Sequence, residues 1–506
     1  MSVFKNISYF LAAAVLSKPL GFLLAFALAK SLGPQNFGVW VTLMLIISYS
    51  PIVCLGTVET LLKQVPYYLG RQESRQIQEV EKSVMGSLVL SALIVVGLAL
   101  LAPLVLRSVS LGVDSSLVVM MLIATAIGYF SAFFYNRFAA YENFKAAGAM
   151  DFLRSVLALL FVGGMAWLWG LRGAVAGWLM HEIGMCSIIV LTNVRSHGKV
   201  GISLRRDLLV RVVRIGFPIT LLWWILTLTG TVDRIVLGSM LGPLSVGHYG
   251  LGISLASILL LVPMVVGRVL YPKVNRQFGK DGGAESMKRI VLAPTLALGT
   301  LLVNLQAGLL VIMPYLYNQL LPKYQPGLLA GQILILGSFF GCLMRNGANY
   351  LIATNKEPVF LKYILITLGF NIVSDVGLVK GGFGIAGVAL GTSLAGLLLT
   401  TLVWRQVLIG LGFHRRGAWT TLLGLYLPII VLAGVAACLR LAYPPAFQIL
   451  NGLAVLLGLG VLLCVNGLLY CFPVYREEMH AWTKALLKMR GPFAQRAALA
   501  EIAGPS

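Results

Sequence analysis

The sequence has little charge, and above all it has few acids. Only 11% of its 506 residues are charged, and 17 Asp and Glu stand against 39 Lys and Arg. A soluble globular chain carries about 25% charged residues, so the composition excludes an ordinary soluble domain. Short alternating apolar stretches are also missing, whereas apolar runs of about 20 residues recur along the chain. Long continuous runs favour membrane-spanning helices over a β-barrel, because lipid leaves every backbone group to be paired internally.

Sequence motifs of common metal, phosphate-binding and hydrolase sites are absent too. The six cysteines form no CxxC pair and the five histidines are scattered, so we predict no metal site. There is no GxxxxGK(S/T) phosphate loop and no GxSxG elbow, and the loops are short. We therefore predict that the chain is not an enzyme and carries no cofactor. A membrane-embedded glycosyltransferase and a structural scaffold are the remaining alternatives.

The net charge of +22 has a simple interpretation. With the N-terminus inside, the predicted cytoplasmic loops hold about 30 of the basic residues, as the positive-inside tendency requires. These loops face anionic lipid, so membrane lipids are predicted partners and nucleic acid is not. This alternation supports about fourteen spans, with both ends of the chain in the cytoplasm. The spans are predicted at 7–30, 37–62, 84–107, 115–137, 150–170, 173–193, 212–241, 244–270, 289–313, 328–354, 359–379, 382–404, 418–441 and 447–472.

A seven-residue phrase, Leu-Gly-Pro followed by three variable residues and Gly, occurs twice, each time between two long apolar runs. Residues 32–38 read Leu-Gly-Pro-Gln-Asn-Phe-Gly, and residues 241–247 read Leu-Gly-Pro-Leu-Ser-Val-Gly. Further downstream, Phe-Leu-Arg at 152–154 matches Phe-Leu-Lys at 360–362. Internal repeats of membrane helices are typical of transporters, which hold their substrate between the two halves.

The repeat predicts an all-α, polytopic membrane fold with two six-helix lobes. An even number of spans separates the two copies, so the lobes are related by a pseudo-twofold axis along the membrane normal. We predict an N-terminal lobe at 1–200 and a C-terminal lobe at 201–416. The second lobe opens with a basic amphipathic linker helix at 203–215. Two extra helices are predicted in 417–473, and a cytoplasmic amphipathic tail in 474–506.

Ionisable groups inside the predicted spans are the candidate functional residues, because burying a charge in lipid is costly. Lys18, Arg234 and Arg345 are predicted to line a cationic central cavity. Lys18 precedes Pro19, which predicts a kink at mid-membrane. Pairing of each cation with an acid on another span is the alternative.

Three acids within spans are candidates either for binding a coupling proton or cation or for lining the cavity: Asp233, Glu182 and Asp375. Glu182 has His181 beside it. Interhelical hydrogen bonding is an equal alternative for Glu182 and Asp375. Neighbours on a helix point about 100° apart, so Asp233 and Arg234 are not expected to face the same pocket.

Several segments resemble the polysaccharide exporter branch of the multidrug/oligosaccharidyl-lipid/polysaccharide flippase superfamily, which includes the O-antigen flippases. They are the phrase at 32–38 with Val39 and Trp40, the Gly-Phe-Pro at 216–218, the second phrase with His248 and Tyr249, and the Gly-Ile-Ala-Gly-Val-Ala at 384–389. The resemblance covers roughly residues 1–410, and it rests on the order and spacing of motifs that are individually weak.

The resemblance implies a flippase of the bacterial cytoplasmic (inner) membrane. Its substrate would be an undecaprenyl-pyrophosphate-linked oligosaccharide repeat unit, moved to the outer leaflet by alternating access for O-antigen or exopolysaccharide synthesis. Partners would include the polysaccharide polymerase and export machinery, and a proton or sodium gradient would drive transport. Tyr49, Trp223 and Trp224 are candidates for stacking on sugars, although membrane interfaces favour the same residues.

Two related functions stay open as alternatives. One is a peptidoglycan-precursor (lipid II) flippase. The other is a cation-coupled drug or small-molecule exporter of the same superfamily, against which the first span argues because it carries a lysine and no acid.

Overall fold

The architecture comes from a computed structural model of the chain. The structure describes residues 2–109, 114–261, 263–264, 284–354 and 356–442. The predicted span at 447–472 and the predicted tail at 474–506 lie outside the described residues. Within the described ranges every regular element is a helix and no strand occurs, which confirms the all-α prediction.

Fourteen α-helices follow one another along the described chain, and most coincide with the long apolar runs. They are α1 Ser2–Tyr49, α2 Thr57–Gly70, α3 Ser74–Val109, α4 Ser115–Ala140, α5 Phe144–Ala158, α6 Gly164–His197, α7 Arg206–Thr229, α8 Val232–Leu241, α9 Pro243–Leu259, α10 Ala284–Tyr315, α11 Leu328–Ala353, α12 Glu357–Lys380, α13 Gly384–Gly410 and α14 Arg415–Ala442. Short 3₁₀ or π segments occur at Ser50–Cys54, Leu159–Gly163, Leu316–Leu320 and Pro322–Gly327.

Ten helical segments in the described chain are long and apolar enough to cross a membrane, so the chain is a multi-pass membrane protein and the predicted count of fourteen spans is not confirmed. One segment, Phe144–His197, has 54 residues. At 1.5 Å per residue it would extend about 80 Å, whereas the hydrocarbon core is about 30 Å thick. Its backbone leaves helical geometry at Trp169 and Gly170, which divides it.

The seventh predicted span, 212–241, is broken in the structure. Helix α7 ends at Thr229 and α8 begins at Val232, so the backbone is interrupted in the middle of an apolar run. The predicted linker helix at 203–215 begins instead at Arg206 and continues into this run as α7, while Leu204 lies in the non-helical segment before it. Interrupted helices in transporters leave free backbone groups and helix ends that bind ions or substrate.

The chain forms two compact units, each made of several stretches. The first contains Met1–Ile258, Tyr317–Ile333 and Ile364–Ala395; the second contains Leu259–Leu316, Leu334–Tyr363 and Gly396–Ser506. The predicted lobe boundaries at 200 and 416 stay a prediction.

In the first unit, the two copies of the repeated phrase share an unusual backbone position. Gly33 has φ +68° and Gly242, its counterpart, has φ +79°. Residues with a side chain rarely adopt a positive φ, which explains why both copies carry glycine at this position. At Gly33 the backbone departs from helical geometry within α1, and Gly242 separates α8 from α9.

The two copies also pack directly against each other. A Cβ at Gly38 would overlap the carbonyl oxygen of Pro243, and a Cβ at Gly247 would overlap the carbonyl oxygen of Pro34. The contact is reciprocal, as expected where two related elements meet across a twofold axis. The repeat seen in the sequence therefore corresponds to a symmetric helix crossing that requires glycine on both sides.

Candidate functional site: a buried acid pair at a broken helix

Two of the predicted acids lie together in the interior of the first unit. Asp233 is in the first turn of α8 and is 4% exposed, and Asp375 in α12 is fully buried. Their carboxyl groups are close enough to interact electrostatically. Removing one carboxylate from water costs several kcal/mol, and a second like charge adds to that cost. The guanidinium of Arg234 supplies part of the positive charge that Asp233 needs, and a proton or a bound cation would supply the rest for the pair.

Asp233 is held by groups from three helices. The hydroxyl of Tyr249 in α9 donates a 2.7 Å hydrogen bond to its Oδ2, and the backbone N–H of Arg234 lies 2.7 Å from its Oδ1. The hydroxyl of Thr392 in α13 lies 3.2 Å from the Tyr249 oxygen. The start of α8 adds a favourable field, because a helix N-terminus stabilises negative charge. The break in the seventh predicted span thus positions this carboxylate.

Asp375 is only partly satisfied. Asn371, one turn earlier in α12, donates a 2.9 Å hydrogen bond to Oδ2 of Asp375. Oδ1 of Asp375 is buried and has no hydrogen-bond partner. A Cβ at Gly391 would overlap this oxygen, so the glycine leaves room for the carboxylate. A buried acceptor without a donor is rare and marks a position where a ligand or proton belongs.

Asn371 is hydrogen-bonded to Asp375, and Asp233 is linked through Tyr249 to the hydroxyl of Thr392, so this region of the first unit is rich in side-chain oxygen atoms. Oxygen-rich sites beside interrupted helices are what transporters use for Na⁺ or H⁺. No group of three or more His, Cys, Asp or Glu side chains suited to a metal ion occurs within the described chain.

Arg234 follows Asp233 directly, and its guanidinium is close enough to the carboxylate to interact with it electrostatically. The residue is half-buried, and its Nε atom is buried without an acceptor. Its backbone N–H donates to the carbonyl of Thr231, in the turn between α7 and α8. Asp233 is hydrogen-bonded to Tyr249, and the expectation that Asp233 and Arg234 do not face the same pocket stays a prediction.

Aromatic side chains surround the same turn. The hydroxyl of Tyr49, at the end of α1, is hydrogen-bonded to the hydroxyl of Thr231. The Tyr49 ring meets the Trp224 ring edge-on at 5.9 Å. The buried indole N–H of Trp224 has no acceptor, whereas the neighbouring Trp223 is 59% exposed. The segments on the two sides of the break between α7 and α8 therefore carry two buried donors without acceptors, Nε of Arg234 and the indole N–H of Trp224. We call Tyr49, Trp224, Thr231 and Arg234 the aromatic–arginine cluster.

The structure places the remaining predicted site residues elsewhere. Lys18 lies on α1, and its side chain is outside the part of the chain that the structure describes. Arg345 belongs to α11 in the second unit and is exposed. Its neighbour Asn346 is buried and donates a 3.3 Å hydrogen bond to Thr295 of α10. Arg345 therefore belongs to a different unit from the acid pair.

Glu182 lies in a second polar cluster of the first unit, in α6. It is 6% exposed, and its Oε2 has no hydrogen-bond partner. Nδ1 of His181 lies 3.7 Å from its Oε1, and Nε2 of His181 lies 3.2 Å from the carbonyl oxygen of Arg154. Ser131 of α4 lies beside the carboxylate. Glu182 remains a candidate acid, separate from the pair at α8 and α12.

Sequence reasoning missed an ion pair buried in the first unit. The Arg137 guanidinium binds the Glu81 carboxylate through two hydrogen bonds of 2.7 and 3.0 Å. It also donates to Asn193 at 2.8 Å and to the carbonyls of His197 and Gly198. All five donors of an arginine are rarely satisfied together inside a protein, and this arrangement joins α3, α4 and the end of α6. We assign it a structural role.

Comparisons with known proteins agree with this architecture. The sequence pattern of the family described as polysaccharide biosynthesis protein matches residues 3–277, so the chain belongs to that family. No curated protein matches the sequence. Among solved structures, a lipid II flippase, MurJ, in an inward closed conformation aligns with a TM-score of 0.71 and 15% identity, over 91% of this chain and 98% of that one.

Two MATE transporters share the fold as well. An inward-facing multidrug resistance MATE family transporter of the MOP superfamily aligns with a TM-score of 0.63 and 13% identity, over 78% of this chain and 95% of that one. The Vibrio cholerae MATE transporter VcmN in its bent form aligns with a TM-score of 0.55 and 18% identity, over 81% and 96%. At these identities the likeness establishes the fold alone. The chain therefore has the helical fold of MOP-superfamily transporters and flippases.

Proposed function

We propose that this polysaccharide biosynthesis protein moves a lipid-linked oligosaccharide, carried on undecaprenyl pyrophosphate, from the inner to the outer leaflet of the bacterial cytoplasmic membrane. The family match supports a flippase-like transporter of polysaccharide biosynthesis. The observation that carries the finer proposal is the aromatic–arginine cluster, which offers two buried donors without acceptors at an interrupted helix.

The chemistry of such a substrate suits this cluster. A diphosphate is anionic, and a guanidinium binds phosphate oxygens through charge-assisted, often paired hydrogen bonds. Sugars present apolar ring faces and hydroxyl acceptors, which match the Tyr49 and Trp224 rings and the indole N–H. The lipid tail remains in the bilayer, so only the head group needs a polar path. The roles predicted for Lys18 and Arg345 as cavity cations stay predictions.

Coupling is proposed to occur at the buried acid pair. Asp233 and Asp375 need a proton or a monovalent cation, and Asp233 is the chain neighbour of Arg234 in the cluster. Occupation of the acid pair would shift α8, and with it the guanidinium that follows. A ligand changes a conformational equilibrium only through its different affinities for the two states. The cation must therefore bind more tightly to one state of the broken helix than to the other.

Transport in proteoliposomes tests the proposal. A fluorescently labelled undecaprenyl-diphosphate oligosaccharide would be reconstituted with the wild-type protein, and the fraction reaching the opposite leaflet would be followed by quenching. We expect transport by the wild type and its loss in Arg234→Gln, with Arg172→Gln, an exposed arginine, as the control. Labelled lipid II and a cationic dye are assayed in parallel. Faster transport of lipid II would favour a peptidoglycan-precursor flippase, and transport of the dye alone would favour a drug exporter.

The cellular setting follows from the same proposal. In this proposal both ends of the chain lie in the cytoplasm, and the product would be handed to the polymerase and export machinery on the outer side. Deletion in the source cells should remove surface polysaccharide while lipid-linked repeat units accumulate inside, and re-expression of Lys18→Ala should not restore export.

A further inference from the structure

Helix α7 carries a positively charged groove that the transport proposal does not use. The groove has a volume of about 800 Å³. Its lining consists of three exposed arginines, one acid and two aliphatic residues, namely Arg206, Arg211, Arg214, Asp207, Val210 and Ile215. These residues recur at intervals of one, three and four positions along α7, so they form one face of the helix.

The acid does not neutralise the arginines of the groove. Oδ2 of Asp207 pairs at 2.8 Å with Arg205, which is not among the lining residues. Arg211 donates one hydrogen bond to the hydroxyl of Tyr68 in α2, which leaves its other N–H groups available. Arg206 and Arg214 are exposed. The groove therefore presents an excess of positive charge and many free donors.

The groove also has an apolar part. Val210 is 47% exposed beside the arginines, and Leu204, just before the helix, is 56% exposed. Downstream, α7 continues without a break into an apolar segment where Trp223 is 59% exposed. Trp223 is about 18 Å from Arg211 along the helix axis, which places the groove at head-group level if the indole faces lipid. Guanidinium and aliphatic side chains together suit an amphiphile rather than a free ion.

Helix α7 is fixed to α2 on its opposite side. The hydroxyl of Thr60 donates a 2.7 Å hydrogen bond to the carbonyl of Val212. Gly56 and Gly216 touch so closely that a Cβ on either would overlap the backbone of the other. This packing holds the groove face in place, so the arginines do not need to be ordered by the ligand alone, and the cost of binding falls.

We propose that the α7 groove is a specific binding site for the phosphate head group of an anionic glycerophospholipid of the inner leaflet. The three arginines bind the phosphate oxygens, and Val210 and Ile215 contact the glycerol and the first acyl carbons. Occupation tethers the start of α7, the helix that leads to the break at Asp233. The inference is independent of which substrate the protein transports.

Native mass spectrometry of the purified full-length protein tests the site. The probes are phosphatidylglycerol and phosphatidylcholine with the same acyl chains, titrated in detergent. We compare the wild type with the triple variant Arg206→Gln, Arg211→Gln, Arg214→Gln. A matched control triple variant changes Arg71, Arg75 and Arg195 to Gln; these are arginines of the same unit outside the groove, and the charge lost is identical.

We expect one phosphatidylglycerol to bind to the wild type with a clear preference over phosphatidylcholine. Each arginine near a membrane surface contributes about fivefold in affinity, so the groove variant should lose about 100-fold and the control far less. Equal losses in both triple variants, or no head-group preference in the wild type, would overturn the proposal. Displacement of the lipid by inorganic phosphate at similar concentration would identify a free-anion site instead and would also overturn it. The wild-type preference does not depend on whether the variants fold.

Discussion

The hydroxyl of Tyr249 lies 2.7 Å from Oδ2 of Asp233 and 3.2 Å from the hydroxyl of Thr392, so one side chain connects the acid of α8 to α13. Tyr249 is fully buried, and its ring cannot move without displacing the helices around it. Asp233 is thereby held within electrostatic range of Asp375 in α12. The geometry of the acid pair is imposed by tertiary packing, and this gives the coupling proposal its sharpest tests.

Neutralising either acid should remove the response of the protein to cations. We expect NaCl, compared with choline chloride, to raise the melting temperature of the wild type. A ligand at about 100 times its dissociation constant contributes about 2.7 kcal/mol. Asp233→Asn and Asp375→Asn should each lose this increment. A control, Asp114→Asn, changes an exposed acid outside the pair and should keep it. If Na⁺ has no effect on the wild type but lowering the pH stabilises it, the pair binds a proton; a response retained in both variants would remove the pair from coupling.

Trp224 and Trp223 offer a matched pair for the sugar-binding role. Trp224→Phe keeps a ring beside Tyr49 but removes the indole N–H. The loss of one hydrogen bond, about 1 kcal/mol, should lower the rate of oligosaccharide transport at limiting substrate about fivefold. Trp223→Phe changes an exposed ring and should leave the rate unchanged. Equal rates in the two variants would show that the indole donor of Trp224 does not contact the substrate.

Arg137 should be critical for stability. Arg137→Met leaves the Glu81 carboxylate buried without its partner, and we expect a loss of about 3–5 kcal/mol. Arg172→Met breaks the exposed pair with Asp114 and should cost about 0–1 kcal/mol. Thermal unfolding of both variants in the same detergent, followed by circular dichroism, gives the comparison. A small effect in Arg137→Met would mean that water reaches Glu81.

Replacing a glycine at the crossing of the repeated phrase by alanine should destabilise the protein. Gly247→Ala forces a Cβ into the carbonyl of Pro34, and overpacking of this kind costs about 1–3 kcal/mol. The control is Gly97→Ala in α3, where nothing lies within 4 Å of the added Cβ. Alanine forms helix better than glycine, so this control should be neutral or slightly stabilising. The melting temperatures of the two variants should move in opposite directions, and a shift of Gly247→Ala toward the control would contradict the crossing seen here.

Much of the fold was predictable because lipid restricts the options of the chain. Long apolar runs must be helical, and the prediction of an all-α membrane protein was correct. The break at Gly230 and Thr231 was not predicted, since neither residue forces a helix to end and apolar residues predominate on both sides of them. The linker helix was placed too early for a related reason: Leu204 fits the helical spacing but lies in the non-helical stretch before Arg206.

Sequence reasoning identified the two acids of the pair but not the residues that hold Asp233. Depth in an apolar run identified Asp233 and Asp375 as candidates, and Asn371 was available as the residue one turn before Asp375. The contacts with Tyr249 and Thr392 join positions 16 and 143 residues apart, and nothing in the local pattern encodes them. The Arg137 pair was missed because Glu81 and Arg137 lie near the ends of their runs, where charged residues are ordinarily solvated.

The reciprocal crossing of Gly38 and Gly247 makes the backbone of each copy of the repeated phrase the packing surface of the other. The two copies differ at their central positions, where Gln35 and Asn36 face Leu244 and Ser245 in the alignment, yet both retain glycine at the crossing. A bulkier residue in one copy meets backbone, so no side-chain change elsewhere in that copy can relieve it. Chimaeras that replace the segment carrying one copy with that of a relative should therefore fold only when the donor segment also has glycine at the crossing.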